Sequence, residues 1–106
     1  MTEVQLTAVA PYGVTGIGFG GCIEGSPIHP GQPGAMRRSA HAHNVPGDPN
    51  YGVVCFKALG WGAVRASLFW HEVGHIWRRS WTEGQCNTWA KKRRGVRRIV
   101  GEGPGR

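Results

Sequence analysis

At 106 residues the chain has material for one small domain and too little for two. Hydrophobic residues make up 40% and include five Trp, enough for an ordered core, while 18 Gly and 7 Pro assign much of the chain to loops. The net charge of +7 allows an anionic partner, the other reading being a solvated basic tail that only aids solubility, and the absence of any membrane-length apolar run or signal-peptide pattern argues against a membrane partner and makes a cytoplasmic protein the expectation.

The expected organisation is a single domain, 1–106. Residues 1–50 are Gly/Pro-rich, mostly loops and short strands, 51–90 form a strand-helix-helix core, and 91–106 are a basic C-terminal tail. Residues 4–9 alternate weakly and form a short strand or a helical turn before Pro11. The run Gly16-Ile17-Gly18-Phe19-Gly20-Gly21 matches a dinucleotide fingerprint in form, but Gly25, Pro27, Pro30 and Pro33 leave no room for the helix that must follow, so it is read as a Gly-rich loop or strand turn. Residues 25–50 read as irregular chain with turns at Pro46-Gly47-Asp48 and Pro49-Asn50. Within them Ala40-His41-Ala42-His43 alternates so that both His share one strand face. Such a pair suits a metal, yet an exposed strand face with two ordinary His is the preferred reading.

Residues 51–58, Y-G-V-V-C-F-K-A, are the strongest strand candidate, being β-branched and aromatic between turn residues. Residues 63–79 contain no helix breaker except Gly74 and predict about five helical turns. Around that helix Val64, Leu68, His71 and His75 share one stripe, Phe69, Val73 and Ile76 the opposite one, and Trp70 with Trp77 a third. A helix so apolar should be buried, and its His pair with it. Ser80-Trp81-Thr82-Glu83 has the form of a capping box, so a second helix is expected from Ser80 through Trp89 and Ala90 to about Arg94. Cys22, Cys55 and Cys86 are too scattered for a disulfide framework, and Cys55 and Cys86 are read as small apolar packing residues.

The chemistry concentrates in His71-Glu72-Val73-Gly74-His75. On a helix the two His stand one turn apart on one face and can share a metal ion, with Glu72 beside them as general base toward a metal-bound water. A catalytic zinc site needs a third protein ligand, and Glu83 is the leading candidate, the other reading being that it caps its helix.

H-E-V-G-H followed by E-G-Q-C-N-T-W-A resembles the gluzincin pattern of H-E-x-x-H on one helix and E-x-x-x-D on the next. It is closest to the minigluzincin and ImmA/IrrE-type peptidases, with an SprT-like peptidase as second choice. The resemblance covers residues 51–90. It implies a small α+β fold, a short β-sheet packed on an active-site helix with a second helix following, one Zn²⁺, and hydrolysis of a protein or peptide substrate. Carried over, His71, His75 and Glu83 would be zinc ligands, Glu72 the general base and Asn87 the residue behind the ligands, standing where the family has Asp. No His or Tyr follows His75, so the oxyanion stabiliser would come from Tyr51, His41, His43 or an Arg.

A second reading starts from charge. Eight of the thirteen basic residues fall between Arg78 and Arg98, and Lys91, Lys92, Arg93, Arg94, Arg97 and Arg98 could bind nucleic acid or another acidic partner, any metal then being structural or absent. A third is a structural or assembly protein in which the motif is fortuitous.

Overall fold

The computed structural model describes residues 1–22 and 39–93. Helix α1 (Leu6–Val9) continues into a 3-10 turn at Ala10–Tyr12, so the alternation of residues 4–9 resolves as a helical turn. Strand β1 (Gly16–Phe19) follows, then β2 (Ala40–Ala42), β3 (Val53–Phe56), α2 (Ala66–Trp77) and α3 (Glu83–Arg93). The sheet order is β1-β3-β2, with β1 parallel and β2 antiparallel to the central β3. The result is an α+β domain in which a small mixed sheet packs against two helices.

Strand β3 is shorter than the expected 51–58 because its approach is a tight turn. Gly52 takes φ +93°, and a Cβ there would lie 2.6 Å from the Gly13 carbonyl oxygen. Only glycine fits that crossing of two backbones. The segment expected as a Gly-rich loop or strand turn supplies β1, and Gly20 and Gly21, both at positive φ, turn the chain at its end toward Cys22.

Helix α2 is trimmed at both ends relative to 63–79. Trp61–Ala63 form a 3-10 turn, Val64 and Arg65 are extended, and Arg78 leaves the helical region at φ −131°, ψ 84°. Phe69, Trp70, Val73 and Ile76 are buried in a core shared with Val9, Tyr12, Val54 and Phe56. Trp70 is almost wholly buried and meets Tyr12 and Trp89 edge-on, at ring-centroid distances of 5.9 and 5.8 Å.

The expected capping box at Ser80 and Glu83 is displaced by two residues. Thr82 N–H donates to Gln85 Oε1 at 2.8 Å, and Gln85 N–H donates to Thr82 Oγ1 at 3.2 Å. This is the reciprocal Thr-x-x-Gln form of the same device. Glu83 is thereby released from capping and starts α3 with its side chain turned toward α2. The helices approach closely at Gly74, where a Cβ would come within 3.2 Å of Trp89 Cε3 and 3.3 Å of Cys86 Sγ. Cys86 is fully buried there.

Candidate metal centre

The register of the β2–β3 hairpin builds a donor cluster that the sequence order conceals. His41 lies opposite Cys55 in the antiparallel ladder, so the two side chains share a face. His43, two residues on, shares that face and still belongs to the ladder: its N–H donates to Val53 O at 2.9 Å and its carbonyl accepts from Gly52 N at 2.8 Å. The turn after β1 brings in Cys22. The ligand atoms of Cys22, His41, His43 and Cys55 all lie within 4.8 Å of one another and are buried.

His43 Nε2 is the hub, 3.1 Å from His41 Nε2, 3.2 Å from Cys55 Sγ and 3.8 Å from Cys22 Sγ. Its other nitrogen, Nδ1, lies 3.1 Å from Asp48 Oδ2, with both side chains fully buried. Asp48 is itself fixed by the Asn50 N–H on Oδ1 at 2.8 Å. A carboxylate accepts from Nδ1–H, which leaves the Nε2 lone pair facing the cluster. Histidines that bind metals are oriented in this way. Desolvation pushes the Cys22 thiol above its ordinary value, opposed by a hydrogen bond with Cys55 and reinforced by the Asp48 charge. A cation among the four donors reverses that balance, since it stabilises thiolates directly.

Two cysteines and two histidines with their ligand atoms buried are a donor set of the kind found in structural zinc sites, whereas catalytic zinc keeps an open position. The chain therefore carries a potential metal-coordinating cluster that sequence reasoning missed. The H-x-H pair on one strand face, with a Cys inside the best strand, was its legible trace. The preferred reading of His41 and His43 as ordinary residues on an exposed strand face is overturned, because His43 is wholly buried. Cys55, read as a packing residue, is a member of the cluster. Cys86 keeps that packing role, its thiol pushed up to about 11 by burial, with the Glu83 and Glu72 carboxylates adding to the shift.

The residues of the H-E-x-x-H segment do not belong to this cluster but to a second donor group, His71, His75 and Glu83. His71, His75, Glu83 and Asn87 line an open pocket of about 1050 Å³ together with His41, Asn44, Arg65 and Glu72. Glu83 Oε2 is 2.6 Å from His71 Nε2 and 2.9 Å from His75 Nε2, and the two Nε2 atoms are 3.1 Å apart. His71 Nδ1 is 2.6 Å from Asn87 Oδ1. Hydrogen bonding to His75, then to His71, outweighs desolvation and holds the Glu83 carboxyl below its ordinary value. Contrary to expectation the two His are not enclosed, their side chains keeping 14% and 16% exposure, whereas Glu72 is buried.

The gluzincin resemblance, and the zinc metallopeptidase activity with Glu72 as general base that it implied, are corrected by the buried cluster. The four-donor set Cys22, His41, His43 and Cys55 could hold a metal ion, and it includes His41 and His43, two of the groups offered as oxyanion stabilisers. Tyr51, the third, does not line the pocket. Among the proposed anion-binding residues, Lys91 and Lys92 are exposed. Arg93 turns inward, its guanidinium 4.9 Å from the Trp70 ring and 5.6 Å from that of Tyr12, while Arg94, Arg97 and Arg98 lie outside the described residues. No helix among the described residues is long and apolar enough to cross a membrane. The chain matches no family model, no curated protein and no solved structure.

Proposed function

We propose that the chain is a small basic binding module built around a structural metal ion, and that its partner is a polyanion, nucleic acid first. The observation that carries this reading is the buried set Cys22, His41, His43 and Cys55 with Asp48 behind His43. Thiolate and imidazole donors in equal number suit zinc, a borderline-soft cation, far better than calcium or magnesium. Bound there, the ion would supply folding energy by joining the end of β1 to the β2–β3 hairpin. The partner class rests on charge: the net +7 of the sequence, and exposed Arg78, Arg79, Lys91 and Lys92 at the ends of the two helices.

The test is metal analysis of full-length protein purified without chelator, followed by binding to mixed-sequence DNA and RNA across a salt series. One zinc per chain retained through Glu83→Ala but lost in Cys55→Ser supports the structural centre. Affinity that falls steeply with salt supports the polyanion partner, and no binding at low salt removes it.

A further inference from the structure

Strand β2 contributes to both the buried cluster and the open pocket. His41 directs Nε2 toward His43 at 3.1 Å and also lines the pocket with His71, His75 and Glu83, which is why it stays partly exposed while its ligand atom is buried. Asn44, the residue after His43, donates from Nδ2 to the His75 carbonyl oxygen at 3.0 Å. Helix α2 packs on β2 along the same side. Any shift of β2 therefore moves both donor groups.

The pocket group has the chemistry of a separate cation site. The ligand atoms of His71, His75 and Glu83 lie within 4.8 Å of one another. Asn87 Oδ1 accepts from His71 Nδ1–H at 2.6 Å, so Nε2, 2.6 Å from Glu83 Oε2, is the ring nitrogen that a cation shared with Glu83 would take. Unlike the buried set it has no sulfur, and it faces an open pocket.

We propose that the chain holds two coupled ions: a thiolate-bound ion in the closed cluster, and a second divalent transition-metal ion at His71, His75 and Glu83 whose affinity depends on occupancy of the first. The coupling runs through β2, by His41 and by the Asn44 hydrogen bond to α2. Filling the closed cluster fixes the hairpin, and the fixed hairpin holds the last turns of α2 where His75 meets Glu83. The inference rests on the reading of the closed cluster as a metal centre.

Cobalt(II) titration of the metal-free full chain tests it, because thiolate ligation gives an intense near-ultraviolet charge-transfer band and histidine-carboxylate ligation does not. The thiolate band is expected to saturate first, with a further uptake visible only in the weaker visible bands. Asn44→Ala, which keeps all seven donors, should leave the first event unchanged and weaken the second about tenfold, in the usual range of coupling between sites. Cys55→Ser should weaken both, and if that variant does not fold, Asn44→Ala decides alone. Second-ion affinity unchanged in Asn44→Ala overturns the coupling while leaving the structural centre standing. A single event carrying the thiolate band removes the second site. Uptake with no thiolate band overturns the structural centre and the inference together.

Discussion

His43 Nδ1 and Asp48 Oδ2 lie 3.1 Å apart with neither side chain exposed to solvent. A buried carboxylate is costly unless its partners satisfy it, and here the partners include an imidazole and the Asn50 N–H. The arrangement holds the imidazole in one tautomer, which is what ligation through Nε2 demands. Asp48→Asn keeps the shape and weakens that constraint. Its zinc affinity, read by competition with a chromogenic chelator, should fall by about 10–100-fold. Parent-like affinity would show that Asp48 has only a local structural role.

Gly74 sits inside α2, where glycine ordinarily weakens a helix by about 1 kcal/mol relative to alanine. Gly74→Ala would therefore stabilise an isolated helix. In the folded chain the new methyl meets Trp89 Cε3 and Cys86 Sγ at 3.2 and 3.3 Å, and α3 must give way. The net outcome should be destabilisation of roughly 1–2 kcal/mol, visible as a lower denaturant midpoint. A raised midpoint would mean that the helix pair relaxes without cost.

The Cys86 thiol is held up to about 11 from its ordinary 9.0 by burial. The folded chain therefore binds that proton more tightly than the unfolded one. Its stabilising contribution is present in full below about pH 9, and it is lost as the pH rises from there through about 11. Chain unfolding in urea should show this decline with alkaline pH, and Cys86→Ala should flatten it. Folded protein at pH 8 should leave Cys86 unmodified by iodoacetamide.

Arg93 and Lys91 are two residues apart and should respond oppositely. The Arg93 guanidinium lies over Trp70 and Tyr12, and its Nε and Nη2 make no hydrogen bond among the described residues. Arg93→Ala should lower stability by about 1–2 kcal/mol through lost packing and cation–π contact. Lys91→Ala should leave the melting temperature alone and reduce the salt slope of DNA binding by about one. Equal effects of the two on DNA binding would contradict the inward placement of Arg93.

The parts of this molecule legible in its sequence are the local ones. Periodicity placed α2 to within a few residues, and one helical turn between His71 and His75 was enough to put them on one face. The cap of α3 was legible only as a class: Ser80-x-x-Glu83 and Thr82-x-x-Gln85 both fit the pattern, and three-residue spacing cannot choose between them. The closed cluster was hidden for a different reason. Its donors come from three chain segments, and only the pairing of His41 with Cys55 brings the hairpin pair together, a contact across the sheet that no local pattern encodes. Glycines misled at β1, where Gly16 and Gly18 belong to a strand.

Strand β2 is three residues long, and side chains alternate faces along it. Slippage against β3 by a single residue would carry His41 and His43 to the opposite face and present Ala40 and Ala42 where the donors belong. Neither alanine can hold an ion, so the mispaired hairpin could not be closed by one. A metal that bound only the correctly paired hairpin would proofread the sheet, rejecting the nearest folding error that so short an edge strand invites.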